Sequence, residues 1–119
     1  MELSVKEQRE TLNTVLMGGD VSGALWDFVD SGLAEAIVPE LPALRLEQDP
    51  IHRHKEVLSH TIAVTSKTSP DLVLRLAALF HDIGKPATRR FQNGGVTFRH
   101  HEAVGAKITK KRLKRLEYS

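Results

Sequence analysis

The stretch that most limits what this chain can fold into is Leu72–Phe80, followed at once by His81-Asp82-Ile83-Gly84-Lys85-Pro86. Between residues 72 and 80 only Arg75 carries a charge, and apolar residues fall on every face of a 3.6-residue repeat, which predicts a helix buried nearly all round. Ser69 and Pro70 supply the N-cap and first-turn residues, and Gly84 followed by Pro86 supplies the stop. Burial of each of Leu72, Leu74, Leu76, Leu79 and Phe80 stabilises by roughly 1.5–3 kcal/mol. An unpaired carboxylate beside them costs enough to offset such a gain, so Asp82 needs a partner: a cation, a set of donors, or water at an exposed helix end. The His-Asp dipeptide alone leaves a structural hydrogen bond and a metal or catalytic role both open.

The 119 residues amount to one modest domain or part of a larger protein, and 40% apolar with 27% charged is ordinary for a soluble globular chain. There is no cysteine, which excludes disulfides and thiolate metal sites and leaves nitrogen and oxygen as the only donors. No apolar run approaches the length of a membrane span and the N-terminus does not read as a signal peptide, so the expected location is cytoplasmic, without membrane contact. The net charge of +2 hides an asymmetry: residues 1–50 hold three Lys/Arg against ten Asp/Glu, and residues 51–119 hold fourteen against five. The halves face different partners, and all six histidines lie in the basic half, between positions 52 and 101.

Taken in order, Ser4 with Glu7 is a capping box that starts a helix over 5–17, ended by Gly18-Gly19-Asp20. Ser22 caps a second helix, with Ala24, Leu25, Phe28 and Val29 on one stripe and Trp26 beside it, until Ser31-Gly32. Leu33–Val38 is a third, stopped by Pro39. The segment from Pro39 to Pro50 holds three prolines and coincides with the charge shift, which divides the chain into a helical neck with a Pro-rich connector, 1–50, and a second unit, 51–119. A helix from Ile51 to Lys67 carries His52, His54 and His60. Val57 and Val64 fall within about 60° of His60 on the helical wheel, so His60 stands at the margin of the apolar face, either a core histidine bonded to a carbonyl or a ligand. His52 and His54 lie in the first turn, where a solvated helix end accounts for them equally well. After the central helix, Arg90–Gln92 and Val96–Phe98 around Asn93-Gly94-Gly95 read as a β-hairpin. A last helix runs through Val104, Ile108, Leu113 and Leu116; Gly105 inside it costs about 1 kcal/mol relative to Ala, which points to close packing against a neighbour. Lys107, Lys110, Lys111, Arg112, Lys114 and Arg115 form either a solvated face or a surface for phosphate backbone.

His60, then His81-Asp82, then His101-Glu102, each some twenty residues on, resembles the HD-domain superfamily of metal-dependent phosphohydrolases. The first His stands in Val57-Leu58-Ser59-His60-Thr61 and the pair in Leu79-Phe80-His81-Asp82-Ile83-Gly84-Lys85. A wider likeness spans Val38-Pro39-Glu40-Leu41, His52-Arg53-His54-Lys55-Glu56-Val57 and Phe98-Arg99-His100-His101-Glu102. It is similar to the middle of bacterial tRNA nucleotidyltransferases (CCA-adding enzymes) and related poly(A) polymerases with an internal HD domain, especially the actinobacterial kind. That resemblance implies an all-α, truncated HD fold preceded by a small helical neck, with one short hairpin near 89–98. It implies a divalent metal on His60, His81 and Asp82, suited to Mn, Ni, Fe, Co or Zn, with Mg less natural for imidazole. His101, rather than His100, with Lys85 and Asp82, would serve catalysis. Arg89 and Arg90 would hold substrate phosphate, Lys110, Lys111, Lys114 and Arg115 would meet RNA, and His54 and Glu102 would be accessory. The implied substrates are phosphate monoesters or cyclic diesters of nucleotides or RNA ends, with tRNA as partner of a full-length protein.

Two departures accompany the likeness. Within these 119 residues the nucleotidyltransferase head of that family has no counterpart, and no aspartate follows Asp82, whereas the family pattern has a distal one. The expectation is a segment lacking its C-terminal part and unable by itself to add nucleotides. An HD phosphohydrolase module, a non-catalytic RNA-binding module with a vestigial site, and a plain helical packing domain are the three readings to separate.

Overall fold

The computed structural model describes residues 2–46, 56–92 and 95–118. Helix α1, Val5–Met17, starts in a full capping box: the Ser4 hydroxyl accepts from the Glu7 N–H at 3.1 Å and Glu7 Oε1 accepts from the Ser4 N–H at 2.9 Å. Helix α2, Val21–Asp30, is capped by Asp20, not Ser22; its carboxylate accepts from the Gly23 N–H at 3.0 Å and also complements the helix dipole. Gly32, at φ +87°, turns the chain into α3, Leu33–Ile37. A 3-10 turn over Pro42–Leu44 follows. The Val57 N–H donates to the Leu46 carbonyl at 2.9 Å. His52, His54 and the end of the Pro-rich connector lie outside the described residues. Helix α4 is Val57–Lys67, with Glu56 extended before it, so it begins later than the apolar pattern implied.

Helix α5, Leu72–Phe80, departs from the sequence expectation in three ways. Its N-cap is Asp71, which accepts from the Leu74 N–H at 3.0 Å, rather than Ser69 or Pro70. Pro86 does not stop it; the helix ends at Phe80, and Pro86 sits in the first turn of a short α6, Lys85–Thr88, where its missing N–H costs nothing. It is not buried all round: Val73 is 75% and Leu74 51% exposed, while the charged Arg75 is buried. The inner face is set by Leu76, Leu79 and Phe80, and Arg75 falls on that face. Its guanidinium is satisfied by backbone carbonyls, Nη1 donating to Leu16 at 2.7 Å and Nε and Nη2 to Thr68 at 3.2 Å. A fork of five donors can close two loops at once, which a periodicity argument cannot foresee.

Strands β1, Arg89–Gln92, and β2, Gly95–Phe98, pair antiparallel with Arg89 opposite Phe98 and Phe91 opposite Val96. Helix α7, His101–Arg115, follows directly. The described fold is thus all-α with one small hairpin. One continuous core joins Leu12 and Leu16 of α1, Leu25 and Phe28 of α2, Leu41, Leu44, Leu58, Ile62, Leu79, Ile83 and Leu116. The end of α7 is tied back to α1: Arg9 Nη1 donates to the Leu116 carbonyl at 3.0 Å, and the Tyr118 hydroxyl bonds the Asn13 side chain. No helix among the described residues is long and apolar enough to cross a membrane.

The start of α6 and the first turns of α7 meet backbone to backbone at Gly84 and Gly105. A Cβ on Gly84 would collide with the His101 carbonyl oxygen and stand 2.6 Å from the Gly105 nitrogen; one on Gly105 would stand 3.2 Å from the Gly84 nitrogen. The close packing anticipated for Gly105 is therefore real, and its partner is the glycine after His81-Asp82. Gly84→Ala is expected to destabilise by about 1–3 kcal/mol, or more if α7 shifts. Gly105→Ala should lie within about 1 kcal/mol of wild type, because the helix-propensity gain opposes a milder contact. Urea denaturation of both variants checks this, and equal midpoints would contradict the backbone contact.

Candidate metal centre

Helix α5 brings Leu79 and Phe80 into the core and releases the chain at His81. A tight turn follows, the Ile83 N–H donating to the Phe80 carbonyl at 3.1 Å and the Lys85 N–H to the Asp82 carbonyl at 3.0 Å. Ile83 anchors this turn in the core, which leaves Asp82 only 5% exposed at the end of the helix. Four basic side chains converge on that one carboxylate. Oδ2 lies 3.0 Å from His81 Nε2, 3.3 Å from Lys85 Nζ and 3.8 Å from His60 Nε2; Oδ1 lies 3.4 Å from His101 Nε2. The His60 and His81 rings meet edge to face at 5.6 Å.

The orientation of two of the rings is fixed from behind. His81 Nδ1 bonds the Ala78 carbonyl and His101 Nδ1 bonds the Phe98 carbonyl at 3.1 Å, in both cases three residues back. A carbonyl only accepts, so Nδ1 carries the proton, and in a neutral ring Nε2 then holds the lone pair that faces Asp82. A bare imidazole nitrogen against a bare carboxylate oxygen at 3.0 Å is repulsive unless a proton or a cation lies between them. Without a metal the proton does this, and the titration follows. His81 is raised above the ordinary histidine value, chiefly by its hydrogen bond to Asp82, against the opposing effect of burial. For Asp82, burial alone would raise the pKa, but the hydrogen bond and charge of His81 and those of Lys85 together lower it to about 2.

The same arrangement fits a divalent metal. One donor atom from each of His60, His81 and Asp82 lies within 4.8 Å of the others, and this mixed nitrogen and oxygen set suits a borderline ion. A backbone carbonyl on the far ring nitrogen is the usual support for a metal-ligating imidazole. His101 approaches Oδ1 of the carboxylate, whereas His60 and His81 approach Oδ2.

The remaining residues singled out from the sequence are placed as follows. His100 is exposed and in left-handed backbone at φ +64°, one residue before α7. Glu102 is exposed, with Oε1 3.5 Å from His101 Nδ1, and does not reach Asp82. Arg89 stands over the Phe91 ring at 5.2 Å, and the exposed Arg90 bonds back to the Arg89 carbonyl at 2.9 Å. Lys110, Lys111, Lys114 and Arg115, together with Lys107, recur at i, i+3, i+4, i+7 and i+8 and form one exposed stripe of α7. Lys110 also reaches a groove of about 410 Å³ between α5 and α7 that His81 and Glu102 line. Arg112 leaves the run, turning inward to a bidentate pair with Glu40, Nε to Oε1 and Nη2 to Oε2, both 2.9 Å. Sequence reading missed the carbonyls of Ala78 and Phe98; the orphan carbonyls in the last turn of α5 were the available signal for the first.

A small helical domain that directs His, His-Asp and His from successive elements onto one buried carboxylate is a site of the His-Asp metal type. The HD domain family model matches residues 48–118, and the chain belongs to that family. It is similar to the A-adding tRNA nucleotidyltransferase of Deinococcus radiodurans, 33% identical over an alignment of 117 positions that covers 92% of this chain and 27% of that protein. It is also similar to the CC-adding tRNA nucleotidyltransferase of Thermus thermophilus, 40% identical over an alignment of 90 positions that covers 69% of this chain and 20% of that protein. The chain thus spans about a quarter or less of the length of these relatives.

Linkage gives a pH signature for the metal-free protein. Asp82 is depressed, so its contribution is present above its ordinary value of 3.8 and is lost as pH falls through about 2. His81 is raised, so its contribution is present below 6.5 and is lost as pH rises through the higher folded value. In EDTA, stability should peak between these limits, with about 2 kcal/mol lost on the acid side through Asp82. Asp82→Asn should flatten both slopes in urea denaturation at a series of pH values; an unchanged profile would mean that the pair does not titrate together.

Proposed function

We propose that this chain is the HD segment of a tRNA nucleotidyltransferase or poly(A) polymerase, residues 1–50 forming a helical neck and 51–119 the metal-binding unit. Its site hydrolyses phosphate monoesters or cyclic diesters of nucleotides and RNA ends, in the cytoplasm. The observation that carries the reading is the convergence of His60, His81, His101 and Lys85 on buried Asp82. His60, His81 and Asp82 hold the metal, with Mn, Fe, Co, Ni or Zn preferred to Mg by this donor set. When bound, it supplies Lewis-acid polarisation of a phosphoryl oxygen and an acidified water as nucleophile. Lys85 holds Asp82 ionised and offers its ammonium to the phosphate. His101, held by its Nδ1–H on the Phe98 carbonyl, acts in its doubly protonated form, in which Nε2 also carries a proton that it gives to the leaving oxygen. Arg89 and Arg90 neutralise phosphate at the edge, and His54 and Glu102 remain accessory.

The family membership and the similarity to tRNA nucleotidyltransferases support this reading. Purified chain supplied with Mn or Ni should hydrolyse a 2′,3′-cyclic nucleotide, with His81→Ala and Asp82→Asn losing at least about 100-fold. Calorimetry should show the metal affinity falling in parallel; equal rates and equal affinity in wild type and His81→Ala would overturn the proposal.

A second reading, RNA binding independent of hydrolysis, is favoured by the single exposed cationic stripe on α7. Binding of tRNA should weaken steeply with salt, and replacing Lys110, Lys111, Lys114 and Arg115 together by Ala should reduce the slope of log K against log salt by roughly three units. A slope unchanged by the fourfold replacement would remove that surface from the account.

A further inference from the structure

The hairpin carries a feature that the metal site does not use. Phe91 is 69% exposed, on a two-stranded sheet that gains little from displaying it. Residues in register in an antiparallel pair share a face, as do residues two apart on one strand, so Arg89, Phe91, Val96 and Phe98 stand together on one side of the hairpin. The Arg89 guanidinium lies 5.2 Å from the Phe91 ring, and Lys85 Nζ lies 5.3 Å from the Phe98 ring and 3.3 Å from Asp82 Oδ2. Aromatic and cation therefore alternate from Phe91 through Arg89, Phe98 and Lys85 to the buried carboxylate. Arg90 and Arg99 are exposed at the hairpin's flanks, and among the described residues between 85 and 100 no acidic side chain interrupts the positive field.

An exposed ring beside a guanidinium is the element on which an unpaired base stacks, because every base offers a π-face and the guanidinium neutralises the adjoining phosphate. A duplex keeps its base faces inside the stack and cannot use such a ring. We propose that the β1–β2 hairpin is a stacking platform for the single-stranded 3′ end of an RNA, with Phe91 taking a base, Arg89 the neighbouring phosphate, and the terminal phosphate ester leading along Phe98 and Lys85 to Asp82. The inference rests on the phosphate-ester reading of the metal site for its destination, while the base and the neighbouring phosphate are met by Phe91 and Arg89 of the hairpin.

The test uses the intact chain in EDTA, so that binding is read without turnover. A fluorescently labelled single-stranded RNA ending in a 3′-phosphate is titrated by anisotropy, and 2-aminopurine is placed a few nucleotides from that end in a parallel sample. Phe91→Ala should weaken binding about tenfold, Phe91→Trp should restore it, and the 2-aminopurine quenching seen with wild type should be lost in Phe91→Leu. A blunt RNA duplex should bind Phe91→Ala and wild type alike. Single-strand affinity and quenching unchanged in Phe91→Ala and Phe91→Leu, or no measurable single-strand binding by wild type, would overturn the platform. Neither result bears on cyclic-nucleotide hydrolysis and its dependence on His81, so failure here and failure of the metal-site reading are distinguishable.

Discussion

The structure turns on one buried carboxylate. Asp82 lies at the end of an apolar helix with almost no access to water, and an ion in that position costs several kcal/mol unless other groups replace its hydration. The replacement comes from three parts of the chain: His60 from α4, His81 and Lys85 from the α5–α6 turn, and His101 from the start of α7. Each element is thereby held where its side chain must be. The Gly84–Gly105 backbone contact is the steric counterpart of the same demand, since any Cβ at Gly84 would push the first turn of α7, and His101 with it, away from Asp82.

Because two of the imidazoles spend their Nδ1 protons on backbone carbonyls, their Nε2 atoms face the carboxylate in the tautomer that a metal requires. The site accommodates either a proton or a divalent cation, and the depressed Asp82 keeps the carboxylate ionised and ready for the latter. The acidic N-terminal segment contributes at a distance. Glu40 takes Arg112, and α1 takes the chain beyond α7 through Arg9, Asn13 and Tyr118, so the rotation of α7 about its axis is fixed. That rotation sets His101 toward Asp82 at one end and turns the five-cation stripe outward. The electropositive exterior and the metal-type interior are consequences of one helix placement.

Local chemistry made much of this legible. The Ser4–Glu7 box, the apolar stripes and the Gly-containing hairpin lead to α1, α2 and β1–β2 because each is decided within a few residues by hydrogen bonds or turn geometry that the residue types dictate. The starts of α2 and α5 were less legible because two polar residues two positions apart competed for each cap, and the carboxylates, Asp20 and Asp71, took the N–H groups in preference to the serines. The apolar run of α5 gave its existence and extent but not its buried face. Arg75 inside and Val73 outside follow from where the Leu16 and Thr68 carbonyls happened to lie.

For the site, sequence by itself determined that Asp82 needs a partner, that only nitrogen and oxygen ligands are available, and which histidines stand at matching intervals. Those are statements about composition and spacing, and they hold however the helices pack. Only the tertiary structure decided that His60, His81 and His101 address the same carboxylate, that His101 takes the second oxygen while His60 and His81 share the first, and that Arg112 leaves the cationic run to bind Glu40. The physical reason is that ligand geometry depends on the rotation and approach of whole helices, which here are set by the Gly84–Gly105 contact and a core shared from Leu12 to Leu116.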